Sequence, residues 1–333
     1  MKRFLGRLAV ALCSGCIIAY YGEFVFWATP DREGMNLGGI IAVWLLYSIM
    51  AYPFLCVVSY FKVRDPWAIF LAGAFYGWFE EGIVVQTTYG TPDTPFPMSI
   101  SFTALAWHAP IGVFVGWYLV RRVLSQNKHL TTVALACGIG LFYGLWGIFW
   151  WNEPPQPMKE LLETGRKDIL FVHFALFAFG TTALLVLAHW FYQRLRPTEF
   201  SPSRIEMWTV GVLVLLYYAF VTVPAAPRAL WVLPPLMGVT FWALRNNRRA
   251  EVRCNAIVAF PERVKSLNDL LLFNIPLVAG AIYFLALAND LRLPTNLVFY
   301  YVATPLGAIV WLISVVVCGR RGRIQQSSGS RLE

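Results

Sequence analysis

Of the 333 residues, 58% are apolar and only 14% are charged, with a mean hydropathy of +0.58; a soluble domain carries roughly a quarter charged residues, so this surface cannot face water everywhere. The net charge of +9 would suit a nucleic-acid partner, but the basic residues gather at the ends of apolar runs, and no nucleic acid is implied. Runs of about 20 apolar residues cross a bilayer as helix, whereas a barrel needs short alternating segments.

In chain order the pattern predicts an all-α, polytopic transmembrane helix bundle of about ten spans, near 5–28, 38–61, 66–88, 99–120, 130–151, 169–192, 207–223, 229–244, 269–289 and 295–318. With the amino terminus in the cytoplasm, 21 of the 27 basic residues fall on the cytoplasmic side, from Lys2, Arg3 and Arg7 to Arg320, Arg321 and Arg323. That bias is the positive-inside signal. It places both termini in the cytoplasm and the chain in a plasma membrane, the inner membrane of a bacterium or archaeon, with membrane lipids as its surroundings.

The first run contains Cys13-Ser-Gly-Cys16. The run continues to Trp27, longer than a signal peptide's core, so it reads as a retained span whose small residues admit a neighbouring helix. No two of the six cysteines fall in outside loops, and no structural disulfide is expected. In the third run Gly73, Gly77 and Glu81 share an i, i+4 stripe, and in the fourth Ser101, Ala104, His108 and Gly112 do the same. Pro110 should kink the fourth helix and free the carbonyl of Ala106. After the fifth run, Pro154, Pro155 and Pro157 precede a short surface helix, Met158–Glu163. The inside segment 245–268 mixes Arg with apolar residues and suits either the headgroup region or a solvated loop. Residues 1–193 hold nearly all the buried ionisable groups, 194–320 read as scaffold or as a second lobe closing a cavity, and 321–333 as a disordered cytoplasmic tail.

An ionisable group inside a bilayer costs roughly 2.5–3.5 kcal/mol on insertion scales, so each needs a reason. They are Glu23, Glu80, Glu81, His108 and His173, with Asn152 and Glu153 at a span end. At about 1.5 Å per residue, Glu80 stands roughly 21 Å above the inner end of its span and His108 roughly 13 Å below the outer end. All of them therefore fall in the outer half of the bilayer. Adjacent carboxyls repel in a low dielectric, so one of Glu80 and Glu81 is expected to hold a proton. Carboxyl and imidazole together suit acid/base work on water, a metal site or a proton-coupled ion site. Trp78 and Trp107 stand next to these groups and would wall a pocket with Glu23 and Asn152, whereas Trp27, Trp150 and Trp151 fit an interfacial belt. The competing explanation is structural: the glutamates as interhelical glue, His173 as an interfacial residue, His129 and His189 as solvated.

Glu80-Glu81, then Phe102–His108 (Phe-Thr-Ala-Leu-Ala-Trp-His), then His173 in a later span resemble the membrane-embedded CAAX prenyl protease and bacteriocin-processing family. The likeness spans roughly residues 78–177. It implies Glu80 as general base, with His108 and His173 orienting water or stabilising an oxyanion. The sequence departs from that family's pattern at Val85, at the spacing of Phe102 to His108 and at Phe177.

The leading expectation is an integral membrane enzyme that hydrolyses, or does acid/base chemistry on, a hydrophobic or membrane-anchored substrate. Its catalytic residues would be Glu80, Glu81, His108 and His173. A divalent metal ion held by Glu81, His108 and His173 is the cofactor considered first, and a haem between His108 and His173 the next. A proton- or cation-coupled transporter, an electron-transfer subunit binding haem or quinone, and a structural subunit of a larger complex are the alternatives.

Overall fold

The computed structural model describes every residue except 1, 31–35, 152–153, 196–199, 249–254, 259, 261–263 and 330–333. Where apolar runs meet capping residues, helices begin. The Asn36 side chain accepts from Gly39 N at 3.1 Å, Asp65 accepts from Ala68 N just ahead of Pro66 in the first turn, and Ser203 with Glu206 forms a reciprocal capping box. The helices are α1 (Arg3–Trp27), α2 (Leu37–Tyr60), α3 (66–84), α4 (Met98–Ser125), α5 (His129–Trp151) and the short α6 (Gln156–Glu163). They continue with α7 (Lys167–Arg194), α8 (Arg204–Ala225), α9 (Ala229–Asn247), α10 (Ser266–Ala288) and α11 (Phe299–Arg321).

No strand occurs among the described residues. Eight of the helices are long and apolar enough to cross a membrane; α3, which carries two glutamates, and α9 are the remaining two long ones. Apolar side chains point outward over much of the surface, Ile49, Leu176, Ile205, Trp208 and Phe220 being more than two-thirds exposed. Such a surface is compatible with an integral membrane protein.

At the centre, α3 packs on α4, and α1 packs on α2, α4 and α7; α11 closes over α3, α4 and α9, while α10 lies between α5 and α7. The α3–α4 seam follows the predicted glycine stripe. A Cβ on Gly77 would lie 2.5 Å from Ala104 O and one on Gly73 3.0 Å from Ala109 Cα, so backbone meets backbone there.

The stripe predicted on α4 does not form one face. Ser101 donates to Thr304 O on α11, Ala104 meets Gly77 on α3, and Gly112 meets Ile18 on α1. The reason is the wider turn: Ala104–Val120 is π-helical, so residues four apart drift around the axis. In that register the donor missing at Pro110 is the one that would reach Leu105 rather than Ala106. Leu105 O instead lies where Gly307 of α11 comes closest.

Two expectations, for His189 and for the segment 245–268, are revised. His189 is buried, not solvated. The described part of the inner loop tucks under the bundle, with Ala256 N donating to Val63 O at 2.7 Å and Ala256 O accepting from Arg121. The backbone is helical to Gly329, and residues 330–333 lie outside the described ones.

Candidate functional site

Four π-helical turns converge near one end of the bundle: Tyr20–Phe24 in α1, Phe79–Val84 in α3, the long one of α4, and Phe299–Ala303 entering α11. Each admits one residue more than an α-helical turn and re-aims the side chains that follow. Glu23 sits in the first, Glu80 and Glu81 in the second and His108 in the third. These four groups, which the sequence placed at similar depth, are thus brought together from three helices.

The imidazole of His108 is the hub. Its Nε2 lies 3.0 Å from Glu81 Oε1, and its Nδ1 lies 3.3 Å from Glu80 Oε2. On the Nδ1 side, Glu23, Glu80 and His108 each offer one ligand-type atom, all within 4.8 Å of one another. Tyr47 Oη donates to Glu23 Oε1 at 2.7 Å, and a carboxyl oxygen of Glu80 stands within 4.8 Å of one of Glu23. Thr87 donates to Glu81 Oε2, and Thr103 bonds the same carboxyl.

The carboxyl pairing differs from the one read off the sequence. Glu80 and Glu81 do not face each other, because side chains one residue apart on a helix diverge; the imidazole stands between them, and the partner of Glu80 is Glu23. Tyr47 was missed altogether. A tyrosine inside an apolar run carries no charge to draw the eye, and nothing in α2 marks the one that faces α1.

A cavity of about 890 Å³ opens beside the cluster. Glu23 and Glu81 line it, with Thr87, Thr103 and Asp93 as further polar groups and Phe26, Trp27, Trp146, Phe149, Trp150, Phe299 and Tyr300 as an aromatic wall. Glu80 and His108 lie behind that lining, 1% and 2% exposed. The wall is not the one expected. Trp27 and Trp150, read as belt residues, face the cavity, whereas Trp78 donates to Ile100 O and packs on Trp311. Trp107 donates to Tyr21 O and packs behind Phe26, Trp146 and Phe299. Indole N–H groups this deep need acceptors, and backbone carbonyls supply them.

A second, apolar groove of about 510 Å³ runs between α4, α5 and α11, lined by Ala106, Pro110, Leu145, Val302 and Leu306 among others. It shares Trp146 and Phe299 with the cavity.

His173 is not among the residues that line the cavity. It stands on α7 beside Phe174, which stacks on Tyr283 at 4.0 Å, and it forms no group of three ligand-type residues with Glu81 and His108 among the described residues. An axial His108–His173 pair would need one ring nitrogen of His108 turned to a haem, whereas both are turned to carboxyls. Asn152, expected in the pocket, lies outside the described residues, as does Glu153.

No family model, curated protein or solved structure matches the chain.

Proposed function

We propose that the protein is a multi-pass membrane enzyme that hydrolyses, or transfers protons on, an amphiphilic substrate whose polar end enters the cavity and whose chain lies in the adjoining groove. In this reading ten helices span the membrane, both termini are cytoplasmic and the cavity opens to the outside, since the basic residues divide 21 to 6 under that assignment. The observation that carries the reading is that a polar-floored cavity and an apolar groove adjoin each other, with Trp146 and Phe299 lining both. A site for water-soluble solutes has no use for such a groove, while a lipid or lipid-anchored peptide has both ends to place.

Within the site, Glu81 and Glu23 are the carboxyl groups of the cluster that face the cavity, and they exchange protons with water or substrate there. His108 holds Glu81 and links it to Glu80, while Thr87 and Thr103 fix the Glu81 carboxyl in place. The roles taken from the family resemblance shift accordingly: Glu81, rather than the more deeply buried Glu80, meets the substrate, and His173 takes no part.

The test is isotopic. The protein in lipid nanodiscs, incubated in H₂¹⁸O with a bacterial lipid extract and with farnesylated peptides, should release a product carrying one ¹⁸O, and Glu81→Gln should not. Absence of any labelled product from both substrate sets would sink the hydrolytic reading.

A further inference from the structure

The geometry points to a divalent transition-metal site made by Glu23, Glu80 and Nδ1 of His108, with Glu81 as the carboxylate that orients the imidazole; we propose that a Zn²⁺- or Mn²⁺-class ion binds there. The site is the one discussed above, and the inference rests on that reading only for the use made of a bound water, not for the binding itself.

The first argument is the donor set. One carboxyl oxygen of Glu23, one of Glu80 and a ring nitrogen of His108 lie within 4.8 Å of one another. Ligands at about 2.0–2.2 Å from a metal stand roughly 3–3.5 Å apart, and the Glu80–His108 pair is already at 3.3 Å. Small rotations of the Glu23 carboxyl would complete the triangle. Two carboxylates and one imidazole suit Zn²⁺, Fe²⁺ or Mn²⁺, whereas Ca²⁺ and Mg²⁺ favour oxygen alone.

The second argument is independent of the cluster's composition. Glu80 Oε2 and His108 Nδ1 are buried 3.3 Å apart as an ion pair, yet neither has a hydrogen bond of regular geometry among the described residues. Buried polar atoms are normally hydrogen-bonded, and a third atom between these two would complete both. Gly22 keeps that side open: a Cβ there would stand 3.2 Å from His108 Nδ1 and 3.1 Å from the Tyr47 ring.

The third argument is the other ring nitrogen. A metal-bound histidine commonly gives its remaining N–H to a carboxylate, which fixes tautomer and orientation. Glu81 Oε1, 3.0 Å from Nε2, has that position. Glu23 borders the cavity, so an ion in the site would be reached from it, and a water held there would be activated by the charge.

A proton shared among the same groups is the competing occupant, and Mn²⁺ distinguishes the two. Chelator-stripped protein is titrated with Mn²⁺, bound metal is counted by mass spectrometry, and electron spin-echo modulation is recorded. One ion per chain with ¹⁴N modulation is expected. His108→Ala should abolish the modulation, Glu80→Gln and Glu23→Gln should weaken binding at least a hundredfold, and Glu81→Gln should weaken it about 10–100-fold. Zn²⁺ should displace the Mn²⁺.

Because variants may fail to fold, the wild-type protein alone also decides the matter. Bound Mn²⁺ without nitrogen modulation, or no bound ion at 100 times the concentration of sites, overturns the proposal. Equal binding by wild type and the folded His108→Ala variant also does so, by showing an adventitious surface ion. No substrate enters these measurements. An inactive protein that binds Mn²⁺ therefore overturns only the enzyme reading, and an active protein that binds no Mn²⁺ overturns only this one.

Discussion

Arg7 holds Glu206 through two hydrogen bonds, Nε to Oε1 at 2.9 Å and Nη2 to Oε2 at 2.6 Å, joining α1 to α8 across 199 residues of chain. Tyr52 of α2 donates to the same carboxylate, which also caps its own helix at Ser203. The pair matters because α8 has little else: between Arg204 and Tyr217 it buries no residue. Further along, Tyr218 donates to Ala229 O at 2.8 Å and Thr222 donates to Ile83 O at 2.7 Å, next to the glutamate-bearing turn of α3. Hydrogen bonds to charged groups contribute about 1.5–3 kcal/mol each. Glu206→Gln and Arg7→Ala should each lower stability by about 2 kcal/mol, with the double variant little worse than either. Thermal unfolding in detergent measures this, and additive losses would show that the two residues do not act as a pair.

Two glycines should respond oppositely to the same methyl group. Gly77→Ala puts a Cβ into the backbone of Ala104, at 2.5 Å from its carbonyl oxygen, and backbone cannot rotate away. It should cost about 1–3 kcal/mol and displace Glu81 from His108, since α3 must slide. Gly138→Ala on α5 meets nothing within 4 Å and should be neutral, or more stable by up to about 1 kcal/mol from helix propensity. Denaturation of the two proteins side by side makes the comparison. A neutral Gly77→Ala would mean that the α3–α4 seam is looser than described.

The helical class and the apolar helices were legible because they rest on apolar length, which does not depend on how helices pack. Gly73, Gly77 and Glu81 were legible for a related reason: Pro66–Trp78 is regular α-helix, and a 3.6-residue period finds its face. Ser101, Ala104, His108 and Gly112 were not, because α4 is wound wider and nothing in its composition announces that. The aromatic wall was misassigned on the same ground. Tryptophans next to the acids in sequence, Trp78 and Trp107, turn to neighbouring helices, while Phe299 and Tyr300 arrive from a helix more than 190 residues away in sequence from His108. Long-range contributions of that kind leave no local signature.

The reporter test of topology follows from the division of basic residues. Fusions after Leu124 and after Asn247 should read cytoplasmic, and one after Pro157 should read external. A cytoplasmic signal at Pro157 would invert the membrane and open the cavity to the inside.

Glu81 and His108 should behave as one unit. Removing either leaves the other without its partner at 3.0 Å, and groups acting together are non-additive on removal. In the ¹⁸O assay, Glu81→Gln and His108→Ala should each lower the rate by at least about a hundredfold, within the usual contribution of a positioned acid or base. The double variant should be no slower than the worse single one. His173→Ala should stay within about twofold of wild type. A strong loss at His173 with a mild one at Glu81 would move the chemistry to α7.

The groove makes a prediction about substrate length that the cavity alone does not. Val302 lines it and is 55% exposed, so a larger side chain can be placed there without disturbing the core. Val302→Trp should fill part of the space that a hydrocarbon chain would occupy. Each excluded methylene costs about 0.8 kcal/mol of burial, so excluding roughly two or three should raise KM for long-chain substrates by about fifteen- to sixtyfold. Substrates too short to reach Val302 should be unaffected, and kcat should hold for both. Ile49→Trp, on an exposed face of α2 away from the groove, serves as the control for a general effect of an added indole on the membrane-facing surface. The measurement is a series of substrates with one polar end and stepwise longer chains. An equal rise in KM for all lengths would mean that the chain lies elsewhere, and an unchanged profile that the groove holds only bilayer lipid.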